Sequence, residues 1–300
     1  MLFRSKSELM CSKGDDKRHE RWLVVSSGGS GKSVKLASGE GQHRGLLPCG
    51  GVATRLNCLP HDSVQKSRVQ VETVNGEAFC FLPLSIATGF PVHVNGYFAV
   101  TSNRRGIWER TTSQQNQVLE VRWNESLLED TLTNAYIQLL NYMKTLQTLD
   151  YPFYMLWPVY SDLHSTTWSR LVESVYKRIV SRDLPLFRSN DKWMTINEGY
   201  ILDTELREVP GVHDTMEKLQ KNVFDIPTHI VSTMVKAGQK KAVHCITIGF
   251  KTFLVKIFLP HVQKIPCSIR DQIICYTLDC IVSGRTEFSD FLSNKACITS

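Results

Sequence analysis

The feature that most constrains this chain is a change in hydrophobic period near residue 125. Before it, apolar residues alternate or run in short blocks: Trp22 to Val25, Arg68 to Val74 (RVQVETV), Ala78 to Leu84 (AFCFLPL) and Gln117 to Trp123. Period two belongs to strands, because successive side chains leave a pleated backbone on opposite faces. After it, Leu128, Leu132, Ala135, Leu139, Met143 and Leu146 recur every three or four positions, the spacing of one helix face, with Asn124 placed to cap its start. A chain that spends its strands first and its helices afterwards is expected to be α+β, a strand-rich N-terminal half followed by a mostly helical C-terminal half.

Finer boundaries follow from the same patterns. Residues 1–20 are polar and charged without period and read as a disordered start; 21–125 read as a β-rich segment and 126–300 as a mainly helical continuation. After the strand at Trp22, the stretch from Ser26 to Leu46 reads as a flexible loop. Asn75-Gly76 suits a type I′ turn joining RVQVETV to AFCFLPL, whose unbroken apolar run predicts burial on both faces. VHVNGYFAV predicts either a hairpin about Asn95-Gly96 or one strand bulged at Gly96. Helices are expected over Thr166 to Ser181, His213 to Asn222, Thr228 to Ala237, Lys251 to Val262 and Ser268 to Ile281, the last opened by a Ser268-to-Asp271 capping box. A small strand pair is expected around Trp193 and Tyr200.

With 42% hydrophobic and 21% charged residues in 300, wholesale disorder, collagen and coiled coil are excluded. The longest nearly apolar stretch, Phe250 to Leu259, carries Lys251 and Lys256 and is half the roughly 20 residues a membrane span needs. The first residues form no apolar secretory core, so a cytoplasmic location with reduced thiols is expected. The nine cysteines contain no CxxC and read mostly as buried small hydrophobes. His244, Cys245, His261 and Cys267 match no zinc spacing, and no metal site is expected.

The net charge of +6 is unevenly spread: residues 1–60 carry ten Lys/Arg and five Asp/Glu, and 226–270 carry seven Lys/Arg and no acid. Lys236, Lys240, Lys241, Lys251 and Lys256 are therefore candidates for a basic partner-binding face, the alternative being an ordinary solvated helix face. Interleaved aromatics allow a nucleic-acid-binding reading of Lys236 to Arg270, but no recognition module accompanies them.

Ser26-Ser27-Gly28-Gly29-Ser30-Gly31-Lys32-Ser33 suggests a P-loop, which wraps phosphates in backbone amides, sets a lysine on the terminal phosphates and a Ser/Thr on magnesium. An ATP-using enzyme built on Gly31-Lys32-Ser33 is thus one alternative, and it requires a helix from Ser33. Against it, Ser26 replaces the opening glycine, and the residues that follow show no apolar helical stripe. No Gly-x-Ser-x-Gly elbow is present, and Glu125, Glu129 and Asp130 fall on the polar side of the expected helix, where solvated charge is the norm.

Arg104-Arg105 at the end of a strand-and-turn block offers a phosphate or carboxylate contact, each guanidinium presenting a fork of donors; a purely structural pair is the other reading. The block itself, GEAFCFLPLSIATGFPVHVNGYFAVTSNRRGIW over 76–108, closely resembles the signature of the sacsin repeat family, with LLPCGGVATRL at 46–56 and the Trp22-Leu23-Val24-Val25 strand in matching places. The resemblance implies the end of a lobe similar to the GHKL ATPases of the ninety-kilodalton heat-shock proteins, a second β lobe and a helical continuation. It further implies a co-chaperone role in protein quality control, partners among chaperone machinery or client proteins, and an association with mitochondria. By analogy Arg104 or Arg105 would face nucleotide phosphate. The chain contains no D-x-G-x-G box, and Glu120-x-x-x-Asn124 fits the E-x-x-x-N box by letters alone. The nucleotide-binding half is therefore expected upstream of Met1, leaving this chain a partial repeat without ATP, cofactor or catalysis.

Overall fold

A computed structural model of the chain describes residues 3–13, 16–58, 69–110, 118–146 and 153–289, with side chains described in 21–56, 73–110, 118–145 and 153–289. The architecture is α+β, as the change of period requires. Two compact units divide it: residues 1–182 with 227–239, and residues 183–226 with 240–300. The compositional break near 125 is not where they separate, because the first helices pack on the sheet.

In the first unit, β1 (Phe3–Lys13), β2 (Asp16–Gly28), β3 (Cys49–Cys58), β4 (Val69–Glu72), β5 (Glu77–Cys80), β6 (Leu82–Ala87) and β7 (His93–Gly96) form one sheet. Its order is β1-β2-β3-β7-β5-β6, with β4 also paired to β3. All pairs are antiparallel except β5 with β7. Alternation along β2 buries Leu23 and Val25 and turns Trp22, Val24 and Ser26 to the other face. Val52, Ala78, Leu84, Val92 and Val94 join the buried side.

Helices cover that buried side. α1 (Lys32–Ser38) follows β2; later, α2 (Leu119–Ser126) passes through a wide π-helical turn, Leu127–Leu132, into α3 (Thr133–Leu146). The Thr133 hydroxyl donates to the Leu128 carbonyl five residues back (2.7 Å), which satisfies an acceptor that the widened turn exposes. α4 (Ser169–Ser181) buries Leu171, Val172, Val175, Tyr176 and Ile179, the stripe expected from its period. Phe90, Phe98 and Trp168 meet edge to face, with centroids 6.0 and 6.1 Å apart from Trp168.

The second unit contains the hairpin of β8 (Phe187–Ser189) and β9 (Lys192–Met194), and a parallel pair of β10 (Ile201–Leu202) and β11 (Thr247–Ile248). Short helices surround a core of Leu202, Leu206, Phe250, Phe253, Phe258 and Ile273. The expected helices over 213–222 and 251–262 are present here, the former shorter than expected, and the one expected over 228–237, which belongs to the first unit, runs from Thr228–Met234 into a π-helical Val235–Gln239. The helix Cys267–Val282 starts after Pro266, without a side-chain cap, so Ser268 and Asp271 form no capping box.

Several expectations are corrected. Phe3–Lys13 and Asp16–Glu20 are not irregular but lie in strands: ladder bonds to β2, itself anchored on β3, outweigh the lack of local pattern. Val69–Glu72 pairs with β3 instead of turning at Asn75-Gly76 onto β5. The AFCFLPL run is two strands broken at Phe81 (φ 61°), and Phe81 and Leu82 are exposed. β7 ends at Gly96 with neither a hairpin there nor a bulge. Leu119–Trp123 is helical, so Asn124 lies inside a helix and caps nothing. The loop after Ser26 contains α1. Among the six described cysteines only Cys280 is buried; Cys245, Cys267 and Cys275 face outward, and Cys11, Cys58 and Cys297 lie outside the described side chains.

Candidate functional site

The Gly-rich loop and the π-helical turn meet around one carboxylate. Asp130, only 5% exposed, accepts from the Ser30 amide (3.0 Å), the Gly31 amide (2.8 Å) and the Ser33 hydroxyl (2.6 Å) through Oδ2. Its Oδ1 accepts from the Ser30 hydroxyl (3.1 Å) and from Asn134 Nδ2 (3.3 Å). Burial alone would raise this carboxyl, but the bonds from Ser33, Gly31 and Ser30 outweigh it and hold the group below its ordinary range. Glycine is required here: a Cβ on Gly29 would lie 2.1 Å from Ser33 Oγ and 3.3 Å from Asp130 Oδ2.

A chain of ion pairs leads away from this knot. Lys32 Nζ is 2.7 Å from Glu129 Oε2, Arg170 bridges Glu129 and Glu125 at 2.9 Å each, and Arg110 reaches Glu125 at 3.1 Å. Arg178 donates to Asn134 Oδ1 and to the Glu129 carbonyl (3.0 Å) in the wide turn.

These contacts decide what the loop can do chemically. A P-loop helix was not expected from the sequence, yet α1 starts at Lys32, so that part of the reading is corrected in favour of the motif. The donors that would surround a phosphate are nevertheless turned onto Asp130, and Lys32 onto Glu129. As placed, these four groups are engaged within the fold. Glu120 pairs with Arg44 while Asn124 binds backbone, so the two letters of the E-x-x-x-N match do separate structural work.

Arg104 and Arg105 share one tight turn. Thr101 and Gly106 close it (2.9 Å), Val100 bridges Ile107, and Arg104 sits at φ 55°. Both side chains are exposed and neither pairs with a carboxylate among the described residues; Arg104 donates to the Cys80 carbonyl at 3.4 Å. Buried Asn124 holds the base of this turn, accepting from the Ala99 amide (2.8 Å) and donating to the carbonyls of Ala99 (2.8 Å) and Trp108 (3.0 Å). The five candidate lysines are all exposed, but Lys236 belongs to the sheet-bearing unit and Lys240, Lys241, Lys251 and Lys256 to the other. Among the described residues no three His, Cys, Asp or Glu side chains gather as metal ligands, and no helix is long and apolar enough to cross a membrane.

Asp130 and Asn124 were both missed as site residues. Asp130 looked like solvated helix charge, and its partners lie about a hundred positions earlier, beyond any local pattern. An asparagine followed by an apolar helical stripe looks like a cap whichever side of the boundary it occupies.

No protein-family profile matches the chain, and no solved structure is similar to it. Among curated proteins, human sacsin is 30% identical over 297 aligned residues, which cover 92% of this chain. That stretch is 6% of sacsin, so the chain spans a small part of the length of the relative it matches. A match of that extent makes this chain sacsin-related over nearly its whole length.

Proposed function

We propose that the chain is a non-catalytic, protein-binding module of the sacsin type, acting with chaperone machinery or client proteins in cytoplasmic quality control and near mitochondria. The observation that carries the non-catalytic part is the Asp130 carboxylate seated among the amides and hydroxyls of the Gly-rich loop. A tethered anion at that point engages the Ser30 and Gly31 amides and the buried Ser33 hydroxyl, which supports the reading that this loop is not a phosphate cradle. The similarity to sacsin supports the module assignment, and the role in quality control follows from the family resemblance.

Calorimetric titration of the purified chain with magnesium-ATP tests this reading. No saturable heat is expected, and micromolar, magnesium-dependent binding would refute it. The P-loop alternative keeps one favourable observation, the helix that starts at Lys32. It requires Lys32→Ala to abolish an ATP turnover that the present reading does not expect at all. A nucleic-acid reading draws on lysines that the fold divides between two units, and it requires affinity that falls steeply with salt.

A further inference from the structure

The sheet of the first unit has one face under helices and an open groove on the other. On the second face, β2 presents Trp22, Val24 and Ser26, β3 presents Gly51 and Ala53, and β7 presents His93 and Asn95. With Phe79 and Phe81 these residues enclose a groove of about 310 Å³. Small residues make its floor and aromatic rings its walls: His93 lies 5.4 Å from Trp22 and 5.3 Å from Phe79, centroid to centroid. Phe81 is 65% exposed, an unusual state for so large a ring beside other apolar surface.

Polar groups flank the groove at the two ends of β5. Glu77, at the start of β5, donates its amide to His93 Nδ1 (3.1 Å), which leaves the other ring nitrogen as the donor of a neutral imidazole. At the opposite end Arg104 reaches the Cys80 carbonyl next to Phe81, and Arg105 follows it. An acid thus marks one end of β5, and two arginines with no carboxylate partner among the described residues follow the other, the ends of β5 lying roughly 10 Å apart for three steps of strand rise. The neighbouring edge is unsuited to strand addition. β6 contains Pro83 and a positive φ at Ser85 (55°), devices that spoil a ladder.

We propose that this sheet face is a docking site for an extended apolar segment of a partner protein, oriented by an acidic residue that pairs with Arg104 and Arg105. The inference rests on the protein-binding reading above and names the chemistry of the partner. Filling the groove would expel on the order of ten waters from aromatic walls, judged by the volume each takes in the liquid. The two arginines, without a carboxylate partner among the described residues, choose the sign of the flanking charge, because like charge at a rim is repelled. Here those arginines meet a carboxylate and not a nucleotide.

The test uses the full chain and a fluorescein-labelled eight-residue peptide with a leucine and valine core and two terminal glutamates. Controls replace the glutamates by lysines or the core by serines. The acidic peptide is expected to bind at least about tenfold more tightly than either control, and Ala53→Arg, which fills the floor, to weaken it by a similar factor. Arg104→Glu together with Arg105→Glu is expected to reverse the preference for glutamate over lysine. Phe81→Ser, at an exposed position, replaces Ala53→Arg if circular dichroism shows that variant misfolded. Equal affinity for both charged peptides, no saturable binding, or indifference to the floor substitution overturns the inference. So does a dimer in sedimentation that Ala53→Arg dissolves, since the occupant is then a second copy. Magnesium-ATP titrated into the same preparation separates the two failures: ATP binding defeats the functional reading, whereas a silent ATP titration with no peptide binding defeats the docking site alone.

Discussion

Removing the Asp130 carboxylate should be the most damaging single change in the loop region, and its size can be worked from the contacts. Asp130→Ala deletes an acceptor of five hydrogen bonds, three of them from the Ser30 and Gly31 amides and the Ser33 hydroxyl on one oxygen. At about 1 kcal/mol net for each bond, less where water reaches the exposed Ser30 hydroxyl, the loss is about 3–5 kcal/mol. In a unit of this size that corresponds to a melting temperature lower by roughly 10 °C. Asp130→Asn can keep a carbonyl oxygen at the three-donor position, so about 1–2 kcal/mol is expected. Urea unfolding followed by tryptophan fluorescence reads the correct unit, since five of the six tryptophans, Trp22, Trp108, Trp123, Trp157 and Trp168, belong to it.

Acid gives an independent check on the same residue. Its carboxyl is held low in the folded state by the hydrogen bonds that overcome burial, so the unfolded chain binds the proton more readily. The stabilisation is therefore present above about pH 4, the ordinary carboxylate range, and is lost as pH falls through the depressed folded value. The gap between wild type and Asp130→Asn should narrow on acidification from neutral pH. Equal stability of the two proteins at pH 7, or a gap that acid does not change, would refute the reasoning.

Three other outcomes follow from named contacts. Asn124→Ala removes the clamp between α2 and the turn at 101–106 and should cost about 2–4 kcal/mol while raising hydrogen exchange at Val100 and Ile107; unchanged exchange would assign the asparagine no role there. Gly89→Ala should abolish soluble folding, because Gly89 has φ 83° and its Cβ would stand 1.8 Å from the Asp162 carbonyl oxygen; a well-behaved variant would contradict that geometry. His93 is pushed down by burial, against the pull of Glu77, so its contribution is full above about pH 6.5 and lost as pH falls below that value. Melting temperatures of wild type should fall between pH 7 and 5 more than those of His93→Leu, and parallel profiles would dismiss the neutral-imidazole bond from Glu77.

What the sequence makes legible is what a single face decides. α4 is readable because Leu171, Val175 and Ile179 all enter one core, whereas the strand pair expected around Trp193 and Tyr200 is corrected: Trp193 pairs with Arg188 across the turn at Asn190 (φ 50°), and Tyr200 bridges Val223. The segment before Asn124 defeats the same method. Val118, Val121 and Trp123 suit either period, and the decision lies with Glu120 and Arg122 pairing outward with Arg44 and Glu40 while Val121, Trp123 and Leu127 sink into the core. Strand partners are still less visible: the pairing of β3 with β7 and of β5 with β7 depends on contacts many residues apart, so a plausible Asn-Gly turn loses to long-range register. The sacsin-like block points to a sacsin-related chain without revealing the Asp130 knot, because a signature reports which residues recur and not which atoms they meet.

The Gly31-Lys32-Ser33 letters can still be made to discriminate between a ligand cradle and a structural staple. A diffusible phosphate would have to displace a carboxylate tethered within the same fold, and tethering acts as an effective concentration of about millimolar or more before any charge is counted. In a phosphate-binding loop Lys32 would matter most, since it carries the charge that meets the ligand. In the staple it matters least: its side chain is 72% exposed and its pairing with Glu129 is a surface salt bridge of less than about 1 kcal/mol. Ser33 is fully buried, bonds to Asp130 at 2.6 Å and approaches the Thr131 hydroxyl at 3.3 Å, so Ser33→Ala should cost about 1–2 kcal/mol. The expected order in urea unfolding is therefore Asp130→Ala most damaging, Ser33→Ala next, and Lys32→Ala close to wild type. A Lys32→Ala variant as unstable as Ser33→Ala would break that order and return the lysine to the centre of the site.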